Sequence, residues 1–149
     1  MIIEIIISEF DFHIMENIRK QRIKAGMDQV ELAQKLGVSE GYVGNIENPK
    51  HSAKVNTRML ARIAAALDLK TYTDLLPLVV LSNDMVRIRL ELIEISSRSQ
   101  SLDKDGNVPK RLEIISIKPL SDKDMETLKA RKNGLKYCTI ISSAKREKH

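Results

Sequence analysis

A change in the period of the hydrophobic pattern at Pro77 is the feature that most constrains the fold. Before Pro77, apolar residues recur every three to four positions in short stretches, which predicts short amphipathic helices. In residues 86–92 aliphatic side chains alternate with charged ones, and a period of two is typical of a β-strand. We therefore expect a mostly α fold, with a helical domain over residues 11–77 and a small α+β appendage over residues 78–149.

Glycine, proline and capping residues divide the helical domain into five short helices. The boundaries that we expect are Gly26 for the end of the first helix, Asp28 and Gly37 for the second, Ser39 and Pro49 for the third, Asn56 or Thr57 for the start of the fourth, and Thr71 to Pro77 for a last turn. Asp28 and Glu31 have the spacing of a capping box. The apolar residues that we expect in the shared core are Leu32, Leu36, Val43, Ile46, Leu60 and Ile63.

In the appendage, residues 86–95 and 112–117 are expected to form a long antiparallel hairpin. An Asp-Gly step within residues 103–107 favours a tight turn between them. The alternation slips at Ile93 and Ile95, as a β-bulge would produce.

The remaining segments complete the expected architecture. Ser121 caps a helix from Asp122 to Asn133, a strand covers residues 137–141, and the C-terminal end is disordered. The Ile-rich residues 1–10 form an N-terminal extension. That extension either completes the sheet within one chain and leaves a monomer, or leaves the hairpin to form a dimer by pairing with a second copy.

Composition excludes several classes of function for this chain of 149 residues. Aromatic residues make up 3% of it, too few for the stacking platforms that read single-stranded nucleic acid. One cysteine, Cys138, and three scattered histidines provide neither an internal disulfide nor a zinc site, so no metal is expected. The sequence contains no catalytic or nucleotide-binding motif and no membrane-spanning run, and we expect no signal peptide. The chain is therefore expected to be cytoplasmic, without cofactor and not an enzyme.

The distribution of charge is more informative than the net charge of +5. Residues 17–62 contain nine basic residues (Arg19, Lys20, Arg22, Lys24, Lys35, Lys50, Lys54, Arg58, Arg62) against four acidic ones (Asp28, Glu31, Glu40, Glu47). A local excess of positive charge is typical of a surface that binds a polyanion.

Residues 29–48 have the requirements of two helices that cross through a tight turn. Ala33 provides a small residue at the crossing, Gly37 provides the turn, and apolar residues provide a common core. This stretch resembles the helix-turn-helix of the Cro and phage-repressor (XRE-type) family, and the likeness extends over roughly residues 11–77. The resemblance implies a five-helix, lambda-repressor-like DNA-binding domain.

The resemblance also implies roles for individual residues. The third helix, residues 39–47, would enter the major groove of DNA. Its base-facing positions would be Ser39, Glu40, Gly41, Gly44 and Asn45, its contacts to the DNA backbone would include Gln29, Tyr42, Asn48 and Lys50, and a structural bridge would join Arg22 to Glu47.

The sequence departs from the family pattern at two places. Gly41 and Gly44 remove side chains from base-facing positions, which leaves few groups to read bases. The loop after Pro49 is longer than in the compact phage proteins. His51 and Lys54 in this loop, together with Lys50, are expected to hold a phosphate, the alternative being a plain solvated loop.

The function expected from the sequence is a sequence-selective regulator of transcription that binds double-stranded DNA as a homodimer. A second possibility is an antitoxin or adaptor whose appendage, residues 78–149, binds a protein partner. A ligand sensor is a third, although the appendage is small for a closed pocket.

Overall fold

The computed structural model describes residues 1–93, 101–130 and 135–143. Its elements in chain order are β1 (Ile2–Ser8), α1 (Glu9–Lys24), α2 (Gln29–Leu36), α3 (Tyr42–Glu47), α4 (Thr57–Ala66), a 3₁₀ turn (Tyr72–Leu75), β2 (Met85–Leu92), β3 (Leu112–Pro119), α5 (Asp122–Lys129) and β4 (Cys138–Ser142). The C-terminal end, which the sequence predicts to be disordered, lies largely outside the described residues.

The caps of α2 and α4 confirm the boundaries expected from the sequence. The Asp28 carboxylate accepts from the Glu31 N–H, the Glu31 side chain accepts from the Asp28 N–H, and both bonds of the capping box are present. Gly37 ends α2 with a φ of 69°, a left-handed conformation that glycine adopts without steric cost. Asn56 caps α4. The fifth expected helix is only a 3₁₀ turn.

The third helix begins later than expected. The sequence predicts a cap at Ser39, but α3 starts at Tyr42 and its N-cap, Gly41, makes no side-chain cap hydrogen bond. The Ser39 carbonyl instead accepts from the Tyr42 N–H at 3.0 Å, which makes residues 39–42 a turn. Because Gly41 lies where the helix would otherwise begin, and glycine disfavours helix, the regular helix is confined to Tyr42–Glu47.

All four strands form one antiparallel sheet in the order β3-β2-β1-β4. Residues 1–10 are therefore not a free extension, because they supply the inner strand β1 and the first residues of α1. A sheet of this size makes "mostly α" a loose description, and the fold is better described as a helical domain joined to a four-stranded sheet.

The expected hairpin of β2 and β3 is present, but its bulge lies at a different place. Its register shifts between Arg89 and Leu90, where Ile115 is the extra residue on β3. The bulge therefore lies inside the ladder and not at Ile93, and Ile95 is outside the described residues. The turn is also confirmed, because the Asp103 carbonyl accepts from the Gly106 N–H at 3.0 Å.

Helix α5 is capped by Ser121 as expected, but it ends at Lys129. The sequence predicts that this helix extends to Asn133, which lies outside the described residues. The last strand is confirmed as β4.

Helix α1 joins the two halves of the molecule, because opposite faces of it lie in two different cores. Ile14 and Ile18 pack with the other helices, whereas Phe12 and Met15 pack on the sheet. The buried residues of the helical core include Leu32, Ala33, Leu36, Val43, Ile46, Ile63 and Leu75. Leu60, which was expected to be largely buried, is only partly so.

Candidate nucleic-acid interface

One side of α3 is held in the core and the other faces outward. Val43 and Ile46 are buried, and this anchors the helix against α1 and α2. Glu40, Gly41 and Asn45 are exposed. The outward face therefore presents the carboxylate of Glu40 and the amide of Asn45, while Gly41 and Gly44 add no side chains to it.

Gly44 lies against the side chain of Gln29, the first residue of α2. A Cβ placed on Gly44 would lie 3.2 Å from the side-chain oxygen of Gln29, tighter than ordinary van der Waals contact. The departure from the family pattern at this position therefore has a packing reason. The Gln29 side chain is itself buried, and its amide nitrogen lies 3.4 Å from a carboxylate oxygen of Glu47.

Arg22 and Glu47 form a buried, two-pronged ion pair between α1 and α3. The Arg22 Nε and Nη2 each donate to a Glu47 carboxylate oxygen at 2.7 Å, and both side chains are fully buried. The third nitrogen, Nη1, donates to the Met27 carbonyl at 2.8 Å. Paired guanidinium-carboxylate bonds have a fixed planar geometry, so this pair fixes how the end of α3 lies on α1.

The loop after α3 is ordered by its own side chains. The Asn48 side-chain oxygen accepts from the Lys50 N–H at 2.9 Å, and the His51 Nδ1 accepts from the Ala53 N–H at 3.0 Å. The side chains of Lys50 and His51 are exposed beside the C-terminal end of α3. Both belong to the residues that the sequence predicts to hold a phosphate.

Lys54 does not belong to this group. Its Nζ donates to the His51 carbonyl at 2.7 Å and to the Ala53 carbonyl at 3.0 Å, and it lies 5.4 Å from the centre of the Tyr137 ring. Burial lowers the pKa of the Lys54 ammonium to about 8, although Asp11 acts in the opposite direction. In the absence of DNA, the ammonium is thus engaged within the protein, between the loop and Tyr137, the residue before β4.

Arg111 is a contact to α3 that the sequence did not reveal. Directly before β3, its Nη1 donates to the Glu47 carbonyl at 2.6 Å and its Nη2 to the Glu16 carboxylate at 2.5 Å. The last carbonyls of a helix lack partners within the helix, so Arg111 ties one end of α3 to both α1 and the sheet. Nothing in the local pattern around Arg111 indicates a partner 64 residues away along the chain.

A cleft of about 550 Å³ lies between α3 and this end of the sheet. One wall is formed by Gln29, Glu40, Gly44, Asn45 and Lys50, and the other by Leu92, Ile93 and Arg111. The appendage therefore lies beside the surface that the resemblance assigns to DNA.

A short exposed helix that is held by a preceding helix through a tight glycine turn is the structural unit of helix-turn-helix DNA-binding proteins. The sequence comparison agrees: residues 18–74 match the model of the helix-turn-helix family. The matching model is that of the Cro/C1-type helix-turn-helix (XRE) family, the family that the sequence of this segment resembles. No curated protein and no solved structure matched the chain.

The part of the chain that the structure describes contains neither a candidate metal site nor a membrane-spanning helix. Within the described ranges, no group of His, Cys, Asp and Glu side chains is arranged to hold a metal ion. The helices that the structure describes include none that is long and apolar enough to cross a membrane.

Proposed function

We propose that this chain is a cytoplasmic, sequence-selective regulator of transcription that inserts α3 and the turn before it into the major groove of double-stranded DNA. The observation that carries the proposal is the exposed face of α3, held at one end by the buried Arg22–Glu47 pair. A recognition helix must keep its orientation while it contacts base edges, and that pair and Arg111 supply the constraint.

Asn45 and Glu40 provide the chemistry for reading bases. An asparagine amide can donate to and accept from the N7 and N6 edge of adenine, and a carboxylate can accept from the N4 amino group of cytosine. Ser39 adds a hydroxyl in the turn. Gly41 and Gly44 add no side chain, so much of the selectivity would come from Asn45 and from the deformability of the DNA.

Contacts to the DNA backbone would come from the start of α2 and from α3 with the loop that follows it. At the start of α2, the backbone N–H groups near Gln29 can bind a phosphate, although the Gln29 side chain is directed toward Glu47. Tyr42, Asn48, Lys50 and His51 would contact the phosphates on the other side of the groove.

Binding measurements on matched variants test these roles. We expect Lys50→Ala to weaken binding equally on a selected site and on random DNA, and to reduce the salt dependence by about one unit. We expect Asn45→Ala to cost about 1–3 kcal/mol on the selected site and little on random DNA. Lys123→Ala, on exposed α5, is the control. An unchanged salt dependence for Lys50→Ala, or equal losses for Asn45→Ala, would remove that residue from its proposed role.

The appendage favours a macromolecular partner. Large aliphatic side chains are exposed along β3, with Ile114 46% and Ile115 48% exposed. We propose that this strand serves a homodimer, because two domains on a palindromic site would add their contacts. The same exposed strand supports the second candidate, an antitoxin or adaptor that binds another protein through residues 78–149.

A further inference from the structure

Strand β3 is an outer strand with an apolar surface that nothing covers in the described residues. It pairs with β2 on one side only. Ile114 and Ile117 lie on the same face of the sheet as the buried core, but they are 46% and 38% exposed because α1 packs over the inner strands. Exposed apolar edge strands template pairing with another chain.

The bulge at Ile115 determines which side chains of β3 share a face. Ile114 lies opposite Leu90 and Ile117 opposite Ile88, so both face the core side, although they are three residues apart. Glu113 and Lys118 lie opposite Glu91 and Arg87 and therefore both face the other side. In a regular strand, residues separated by an odd number of positions point to opposite faces.

This arrangement makes β3 complementary to itself. When two antiparallel copies of β3 are related by a two-fold axis between Ile115 and Ser116, Ile114 of each copy lies opposite Ile117 of the other. The same register places Glu113 of each copy opposite Lys118 of the other. Cross-strand pairs of aliphatic residues and of opposite charges both stabilise a sheet, and a two-fold axis repeats each pair twice.

Glu113 already forms an ion pair with Lys110, but this pair does not prevent Glu113 from pairing with Lys118 of a second copy. Its carboxylate lies 2.7 Å from the Lys110 ammonium, and both side chains are more than half exposed. Exposed ion pairs of this kind contribute little to stability, so Glu113 can turn to a second copy at small cost.

The other edge of the sheet lacks a comparable pattern. Strand β4 also exposes large aliphatic residues, with Ile140 58% exposed. However, Cys138–Ser142 contains no charged residue, so no charge pair would fix the register of a second copy on β4. The charge complementarity therefore selects β3.

We propose that two copies of this chain pair through β3, antiparallel and in the register that places Glu113 opposite Lys118, to form one continuous eight-stranded sheet. This proposal rests on the proposed function, which includes a homodimer, and it specifies the interface of that homodimer. Dimerisation is measured without DNA, so a chain that does not dimerise through β3 can be distinguished from a chain that does not bind DNA.

Charge reversal tests the register directly in sedimentation equilibrium of the full chain. Glu113→Lys places two lysines opposite each other at both ends of the interface, and Lys118→Glu places two glutamates there. Because each reversal turns two attractive pairs into two repulsive ones, each single variant should raise the dimer dissociation constant by about tenfold. The double variant should return to near the wild-type value.

Mixing the two single variants gives the sharpest result. In a mixed dimer, positions 113 and 118 are both basic in the Glu113→Lys copy and both acidic in the Lys118→Glu copy, so both cross-strand pairs are again attractive. Variants that are monomeric alone should therefore dimerise when mixed, which a folding defect could not produce. Ile140→Ser, on β4, is the control and should dimerise like the wild type.

Three results would overturn the proposal. The first is a wild-type chain that stays monomeric at tens of micromolar. The second is a mixture of the two reversals that dimerises no better than either alone. The third is an Ile140→Ser variant that dissociates as strongly as the reversals, which would place the interface on β4.

Discussion

Replacing Glu47 by Ala tests the buried pair that fixes the recognition helix. Both side chains of the Arg22–Glu47 pair are fully buried, and two of its hydrogen bonds measure 2.7 Å. Removing the carboxylate leaves the Arg22 guanidinium buried without its counter-charge, which costs about 3–5 kcal/mol in the free energy of unfolding. At roughly 2–4 °C per kcal/mol for a chain of this size, the melting temperature should fall by about 6–20 °C.

Urea denaturation followed by helical circular dichroism measures this loss. Glu126→Ala, on the exposed surface of α5, is the control and should change the free energy of unfolding by less than about 0.5 kcal/mol. Replacing both partners, Arg22→Met with Glu47→Leu, should recover most of the loss, because an apolar pair leaves no unpaired buried charge. If Glu47→Ala cost less than about 1 kcal/mol, or if the double variant were no more stable than the single one, the pair would not hold α3 as described.

Three further predictions concern the core, the contact from the sheet and pH. Ala33→Glu should abolish cooperative unfolding of the helical domain, because Ala33 is fully buried where α2 and α3 cross and a carboxylate has no room there. A soluble variant that melts cooperatively would contradict the packing of α2. Arg111→Met should reduce the preference for a selected DNA site over random DNA, because Arg111 holds the Glu47 carbonyl at the end of α3. The salt dependence of DNA binding should stay unchanged, since Arg111 is proposed to contact no phosphate. A salt dependence lowered by about one unit would make Arg111 a phosphate contact. Burial lowers the pKa of Lys54 to about 8 in the folded state, below its ordinary value of 10.5, so the unfolded state binds more protons between these two pH values. The wild type should therefore gain stability relative to Lys54→Met as the pH rises from about 8 to about 10.5. A difference between the two melting temperatures that does not change with pH would refute the buried ammonium.

Local chemistry explains which parts of the fold the sequence predicted. The capping box of Asp28 and Glu31, the left-handed Gly37 and the cap at Ser121 depend on residues a few positions apart. The alternation in β2 is also a local pattern. Elements of this kind can be identified without knowledge of the tertiary structure.

The parts that the sequence did not predict depend on contacts between distant segments. The Arg111 contact to Glu47 and the turn of Lys54 toward Tyr137 arise only when the sheet packs against the helical domain. That β1 joins the sheet of its own chain was one of two alternatives that the sequence left open. Its position between β2 and β4 was not predicted, because an Ile-rich segment does not identify its partner strands. The start of α3 was misplaced because Ser39 has the residue type of a cap, but its carbonyl closes a turn.

Selection of bound DNA from a random double-stranded pool tests the central proposal most directly, namely that α3 reads bases in the major groove. The full chain and its Asn45→Ala variant would be carried through the same selection. We expect the wild type to enrich a two-fold symmetric site with half-sites about 34 Å apart. The variant should lose preference at one base pair in each half-site and retain the rest. An unenriched pool with the wild type, or an identical site enriched by both proteins, would contradict the reading of DNA by Asn45 on α3.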